Sequence, residues 1–199
     1  MPRPCVEPIR KAALVEAAIS EIGLAGSLDV TVSQIARRAG MSAALAHHYF
    51  GSKEDMFLAA MRHVLTVYGA EVRGALAAAD GAEARLTAIL RASFGPANFR
   101  REVVAAWLTF WIMAQTVPQA RRLLTIYESR LRSNLTACLR PLAGAEAPRL
   151  AEAAGAMIDG VYLRQALART PPDGKASVAL IRAMLTAELA VIRGQSVTG

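Results

Sequence analysis

The sequence predicts an all-α fold of about nine helices. Three observations carry this. Strand-like period-2 alternation is scarce. Apolar residues instead recur at three and four, as in Ile9, Ala12, Ala13, Ala17 and Ile22, and again in Met56, Ala60, Val64, Val67 and Val72. Turn formers punctuate such stretches at Gly23 to Asp29, Gly40 to Ser42, Gly51-Ser52, Asp80-Gly81, Gly95-Pro96, Pro118, Pro141 to Pro148 and Thr170 to Gly174. Three short helices precede Gly51 and longer ones follow, with no internal repeat. A division into residues 1–51 and 52–199 fits that change, a helix from Ser52 joining the parts.

The first helix is the Ile9 to Ile22 stripe. The second opens at Thr31-Val32-Ser33-Gln34, a capping box in which the Thr31 hydroxyl accepts from the Gln34 N–H and the Gln34 side chain reaches back. It runs Val32 to Ala39 and ends at Gly40, a left-handed position that suits glycine. Ser42 caps the third, Ala43 to Tyr49. Two short helices around a glycine turn make a helix-turn-helix. Ala36 leaves room for close packing, and Ile35, Ala39, Met41, Ala46 and Phe50 form the inward face. Ser42, Ala43, Ala44, His47 and His48 then face outward, where a recognition helix meets a major groove. A helix starting at Ser52-Lys53-Glu54-Asp55 follows, and Lys53 in its first turn opposes the helix dipole, so a phosphate partner explains it better than helix stability. Later, Trp107 to Met113 is apolar almost all round and reads as a central helix. The last two helices, about Ala147 to Ala168 and Lys175 to Arg193, carry stripes at Leu150, Ala154, Ile158, Val161 and Leu167, then Val178, Ile181, Leu185, Leu189 and Ile192.

Composition narrows the class. The 199 residues are 54% hydrophobic, which excludes a disordered chain. Two cysteines, Cys5 and Cys138, make no disulfide framework. The longest apolar stretch, Val103 to Ala114, is too short to span a bilayer, and Pro2, Pro4, Glu7 and Pro8 stand where a signal segment would be apolar. The expectation is a cytoplasmic protein with no membrane partner. The net charge of +7 suits a polyanion, yet residues 1–63 hold only +1 of it. Local charge is more telling: Thr31 to Lys53 contains Arg37, Arg38 and Lys53 and no acid.

Residues 10–58 resemble the DNA-binding domain of TetR-type bacterial repressors, through Thr31 to Ser42 and then His48-Tyr49-Phe50-Gly51-Ser52-Lys53-Glu54-Asp55-Met56. The resemblance implies a homodimer of all-helical subunits, each with a three-helix DNA-binding domain and a larger ligand-binding and dimerising domain. It also implies release of double-stranded operator DNA when a small molecule binds. Thr31 and Ser33 at a helix start, with Tyr49 and Lys53, are the expected phosphate contacts. Gln34, Arg38, Ala43, Ala44 and His47 are candidates for base contacts. Many members carry aromatic residues where this chain has His47 and His48, so phosphate anchoring rests more on Tyr49 and Lys53.

The second half must then supply dimerisation and a trigger. Trp107 and Trp111 share one helix face, with Phe110 beside them; such pairs are commonly core. Met157-Ile158-Asp159-Gly160-Val161-Tyr162 sets an acid in an apolar stretch, and Tyr127 and Glu128 lie on an earlier helix. A buried carboxylate needs a partner. Aromatic faces with one carboxylate suit a quaternary ammonium, held by cation–π and Coulomb attraction. Ala106-Trp107-Leu108 to Phe110-Trp111, Arg130-Leu131 to Ser133-Asn134-Leu135, and Ile158-Asp159-Gly160 to Tyr162-Leu163-Arg164-Gln165-Ala166-Leu167 resemble the choline-responsive BetI group, which controls glycine-betaine synthesis. That resemblance implies a small cationic, choline-like effector at Trp107, Phe110, Trp111, Tyr127, Asp159 and Tyr162, and a dimer interface on the last two helices. The alternative is a TetR-type repressor with a different effector, uncharged or anionic.

An enzyme is not expected. His47 and His48 are adjacent and His63 is distant, so no metal pair stands one turn apart, and Cys138 has no nearby His. No glycine-rich phosphate loop or nucleophile elbow is present, and no metal, cofactor or catalytic residue is assigned.

Overall fold

The computed structural model describes residues 6–197; Pro2, Pro4 and Cys5 lie outside the described residues. Among the described residues there are nine α-helices and no strand. They are α1 (Val6–Ala25), α2 (Val32–Arg38), α3 (Ala43–Phe50), α4 (Lys53–Ala78), α5 (Ala82–Ser93), α6 (Arg101–Thr116), α7 (Pro118–Ala143), α8 (Ala147–Leu167) and α9 (Gly174–Val197), with a 3₁₀ turn at Gly144–Glu146.

Two lengths differ from expectation, both at prolines. The first helix is long, at 20 residues, because Pro8 falls in its first turn, where a missing N–H costs nothing. Helix α7 runs on through Pro141, which lies in its final turn, so the N–H bond that the proline forgoes interrupts the ladder only at its end.

Contacts divide the chain into two compact units. Among the described residues, the first takes in the chain up to Thr66 with Arg101–Leu123; the second takes in Val67–Arg100 and the chain from Leu124. This grouping differs from a division at Gly51, since α1 packs against α6 as well as α2. Gly23 makes the α1–α6 approach close: a Cβ there would lie 2.4 Å from the Glu102 carbonyl oxygen. The first unit's core includes Ile19, Ile22, Ile35, Ala46, Met56, Phe57 and Phe110. That of the second includes Leu86, Ile89, Leu135, Leu139, Leu150, Ile158, Ile181 and Leu185.

The stripes expected to form a dimer interface are largely buried within the chain. Leu150, Ala154, Ile158 and Ile181 are inaccessible, Leu185 and Leu189 nearly so. The opposite faces stay open. On α8, Ala156, Leu163 and Leu167 are exposed, with Gly160 half-buried among them. On α9, Leu180, Ala187 and Val191 are exposed beside the half-buried Met184. Both sets recur at i, i+4, i+7 and i+11, a second apolar stripe on each helix.

Candidate functional site

The helix-turn-helix is built as its sequence requires. Thr31 caps α2, its hydroxyl accepting from the Gln34 N–H at 3.1 Å, while Gln34 Oε1 accepts from the Thr31 N–H at 2.6 Å. Gly40 has φ +69° and closes α2 with paired bonds, Met41 N–H to the Ala36 carbonyl at 2.8 Å and Gly40 N–H to the Arg37 carbonyl at 3.1 Å. Ser42 caps α3 by accepting from the Leu45 N–H at 3.3 Å. Ala46 packs inward with Ile35 and Ala36, while Met41 and Phe50 are half-buried.

That packing leaves Ser42, Ala44, His47 and His48 exposed on α3, with Ala43 and Tyr49 half-buried. Ser33 is exposed near the start of α2. Several candidates already have partners. Thr31 and Gln34 hold each other, Arg38 pairs with Glu21 of α1, and His47 Nδ1 lies 2.7 Å from the Gly51 carbonyl. Lys53 donates from Nζ to the Leu28 carbonyl at 2.9 Å. Arg37 is exposed and, among the described residues, has no carboxylate partner, which makes it the freer cation of the pair. Lys11 lies 5.5 Å from the centroid of the Tyr49 ring and pairs with Glu7 at 2.7 Å. Neither Arg37 nor Lys11 stood among the candidates: Arg37 is set apart only because Glu21 of α1 claims Arg38, and Lys11 only because α3 brings Tyr49 to it.

The effector candidates fall in both units. In the first, α6 carries Trp107, buried, with its ring 5.7 Å from those of Phe110 and Trp111. Phe110 is fully buried and Trp111 is half-buried.

In the second unit, Tyr127 of α7 is buried and donates from its hydroxyl to Asp159 Oδ1 of α8 at 3.4 Å. Tyr68 of α4 sets its ring 6.0 Å from that of Tyr127 and its hydroxyl 3.1 Å from Ser93 Oγ. Tyr68 was not anticipated: its place in an i, i+4 helical pattern gives no sign that α4 meets α7 there. Burial raises the Asp159 carboxyl to about 6, the Glu128 carboxylate adds to the rise, and the Tyr127 hydrogen bond opposes it. Burial also raises Tyr68, to about 12, and Tyr127 well above the usual phenol range, so both rings stay neutral. Tyr162 adjoins this cluster, and the Tyr68 phenol and the Asp159 carboxyl both act on it electrostatically. Its hydroxyl donates to the backbone carbonyls of Ser93 and Asn98, and its ring lies 4.9 Å from that of Phe99 and 5.8 Å from that of Phe94.

A family model described as bacterial regulatory proteins, tetR family, matches residues 14–60, and one described as BetI-type transcriptional repressor, C-terminal, matches residues 82–190. The chain belongs to the TetR family, with a BetI-type C-terminal domain.

Relatives agree over nearly the full length. The HTH-type transcriptional regulator BetI of Brucella suis biovar 1 (strain 1330) is 47% identical over 95% of this chain and 96% of its own. That of Rhizobium meliloti (strain 1021) is 49% identical over 95% and 94%. Among solved structures, a transcriptional regulator from Saccharomonospora viridis in complex with choline matches with a TM-score of 0.78 at 21% identity, over 88% of this chain and 95% of that one. A TetR transcription regulator from Haloarcula marismortui matches with a TM-score of 0.80 at 17% identity, over 90% and 98%. Those two likenesses establish the fold. This TetR-family chain is a transcriptional repressor of the BetI type. No helix among the described residues is long and apolar enough to cross a membrane.

Proposed function

We propose that this repressor binds duplex operator DNA as a homodimer in the cytoplasm, and that choline or a related quaternary amine releases it to express glycine-betaine synthesis genes. Residues 1–51 read the DNA; residues 52–199 supply the effector site and the dimer. The observation that carries the effector reading is the carboxylate–tyrosine cluster. Asp159 is half-buried, hydrogen-bonded by Tyr127, and raised first by that burial and then by the nearby Glu128 carboxylate. A fixed cation relieves that repulsion and ionises Asp159, while the neutral rings of Tyr68 and Tyr127 offer cation–π faces. A quaternary ammonium needs no hydrogen-bond acceptor, which suits a carboxylate already partnered by a phenol. The tryptophan group on α6 is tested separately, by Trp111→Ala. Tyr162 acts as a brace for the α5–α6 connection, its hydroxyl being committed to backbone.

On DNA, the exposed face of α3 enters the major groove, with Ser42, Ala44, His47 and His48 toward base edges and Ser33, Tyr49, Arg37 and Lys53 toward phosphates. A single short recognition helix reads few base pairs, so two-fold pairing is needed for a specific site. The second stripes of α8 and α9, with Leu163, Leu167, Leu180 and Val191 exposed, give that pairing its apolar surface. Helix α4 is continuous from Lys53 to Ala78 and carries Tyr68, so an effector seated at Tyr68 acts on the helix that follows the DNA-reading segment. Calorimetry with choline and its neutral isostere 3,3-dimethylbutanol tests the effector reading. Choline is expected to bind at least tenfold more tightly, since a cation over an aromatic face alone contributes about 0.5–2 kcal/mol. Equal affinities, or preference for a carboxylate ligand, would replace it with an uncharged or anionic effector.

A further inference from the structure

A groove of about 1050 Å³ lies within the second unit, between the end of α5 with its connection to α6 and the first turns of α9. Its apolar wall is made by Phe94, Phe99, Pro96, Pro171, Pro172 and Val178. Phe94 and Phe99 are buried and meet edge to face, with centroids 4.9 Å apart. The same groove is lined by three cations, Arg91, Lys175 and Arg182, and one acid, Asp173.

The cations outnumber the acid within the groove, while Glu71 and Glu83 share the adjoining cleft with Arg91 and Arg182. Arg38, Arg149 and Lys11 elsewhere have carboxylates within 2.8 Å. Arg91, Lys175 and Arg182 have none among the described residues, and all three are exposed. Asp173 is committed to capping α9: its Oδ1 accepts from the Ala176 N–H at 2.9 Å, and its carbonyl accepts from the Ser177 N–H at 3.1 Å. An acid held at a helix start offsets the local dipole more than it offsets three mobile cations.

The walls are also fixed before any ligand arrives. A Cβ on Gly174 would lie 2.4 Å from the Phe94 carbonyl oxygen, so α9 begins pressed against the α5 terminus. Tyr162 packs on both phenylalanines and bonds the carbonyls of Ser93 and Asn98, the residues that precede them. A preformed site spends less of its binding energy on ordering. The groove stays open in a dimer paired through the outward stripes, because Arg182 falls roughly 160° around α9 from Leu180.

We propose that this groove is a second ligand site, distinct from the Asp159 cluster, for an amphipathic organic carboxylate. The carboxylate engages Arg91 and Arg182, with Lys175 adding charge, and its apolar body lies along Phe94, Phe99 and the prolines. Arg forks match a carboxylate in a way a point charge does not. The volume accepts a body of several fused rings or a long alkyl chain. This site takes the charge opposite to that of the proposed effector, so the repressor answers two chemical classes through separate surfaces of one unit.

The test uses the full chain and fluorescent 1-pyrenebutyrate, with 1-pyrenebutyramide as the uncharged control. The expected result is saturable binding at one site per chain, roughly tenfold weaker for the amide, undisturbed by saturating choline. R91Q/R182Q should weaken the carboxylate roughly tenfold and leave the amide unchanged; R122Q on α7 removes a charge of the same kind elsewhere and should change neither. Absence of saturable binding, equal affinity for acid and amide, or equal losses in R91Q/R182Q and R122Q would overturn the proposal. Loss of the pyrene signal on adding choline would place the anion at the other site and overturn it too. Failure of choline to bind would count against the effector reading alone.

Discussion

Asp159→Asn separates the effector account from a merely structural reading of the carboxylate. In the folded chain this carboxyl is raised from 3.8 to about 6, mainly by burial. Between those values the folded state keeps a proton that the unfolded chain has lost. Stability contributed by this group is therefore present below the unfolded value and falls as pH rises through 6. The full shift corresponds to about 3 kcal/mol above pH 7, an upper figure because relaxation and the Glu128 coupling share it. Asn keeps an acceptor for the Tyr127 hydroxyl and carries no charge. The variant should thus melt higher than the wild type at pH 7.5, by up to about 6–12 °C, and equally at pH 4. Choline binding runs the other way. Below pH 6 the carboxyl must ionise to meet the cation, so wild-type affinity should fall about tenfold from pH 7.5 to pH 5. In Asp159→Asn, choline affinity should be low and flat across that range. The assays are thermal melts and calorimetric titrations of both proteins at each pH. Identical pH dependence of wild type and variant would refute the half-buried, titrating Asp159 on which the reasoning depends.

Other predictions follow from single contacts. Gly23→Ala should destabilise by about 1–2 kcal/mol, since its Cβ meets Glu102 backbone and the overpacking exceeds the helix-propensity gain. Gly74→Ala, with nothing within 4 Å, should stabilise by about 1 kcal/mol; denaturant titrations read both. Leu163→Glu and Leu180→Glu should yield folded monomers in sedimentation, whereas Leu185→Glu should unfold the chain, because that side chain is buried within its own subunit. Arg37→Ala should flatten the salt dependence of DNA binding by about one unit of slope without changing stability. Lys53→Ala should do the same and also lower stability by about 1 kcal/mol, the Leu28 carbonyl losing its donor.

Local chemistry was legible in the sequence, and contacts between distant helices were not. Thr31 and Gln34, Gly40 and Ser42 act within one turn of the chain, so their spacing specified the capping box, the left-handed turn and the next cap. The all-α class followed from the same kind of periodicity. Which face of α8 and α9 turns inward was not legible, because each helix carries two apolar stripes and periodicity alone does not rank them. Leu185 is buried and Leu180 exposed for reasons that lie on neighbouring helices. Arg38 and Arg37 are adjacent, yet Glu21, far back in the sequence, claims one of them. Tyr127 and Asp159 do meet, as their residue types suggested, while Tyr162 three residues further along α8 turns to the Ser93 carbonyl.

The most direct test of the central claim is fluorescence anisotropy of a labelled duplex, selected from a random library by the protein itself, titrated with and without choline. The account predicts that saturating choline weakens the wild-type complex at least fivefold, within the usual range of allosteric coupling, while 3,3-dimethylbutanol leaves it unchanged. It also predicts that Asp159→Asn binds the duplex normally and ignores choline. Choline bound tightly with operator affinity unchanged would contradict the account, because a ligand without preference between two states shifts neither.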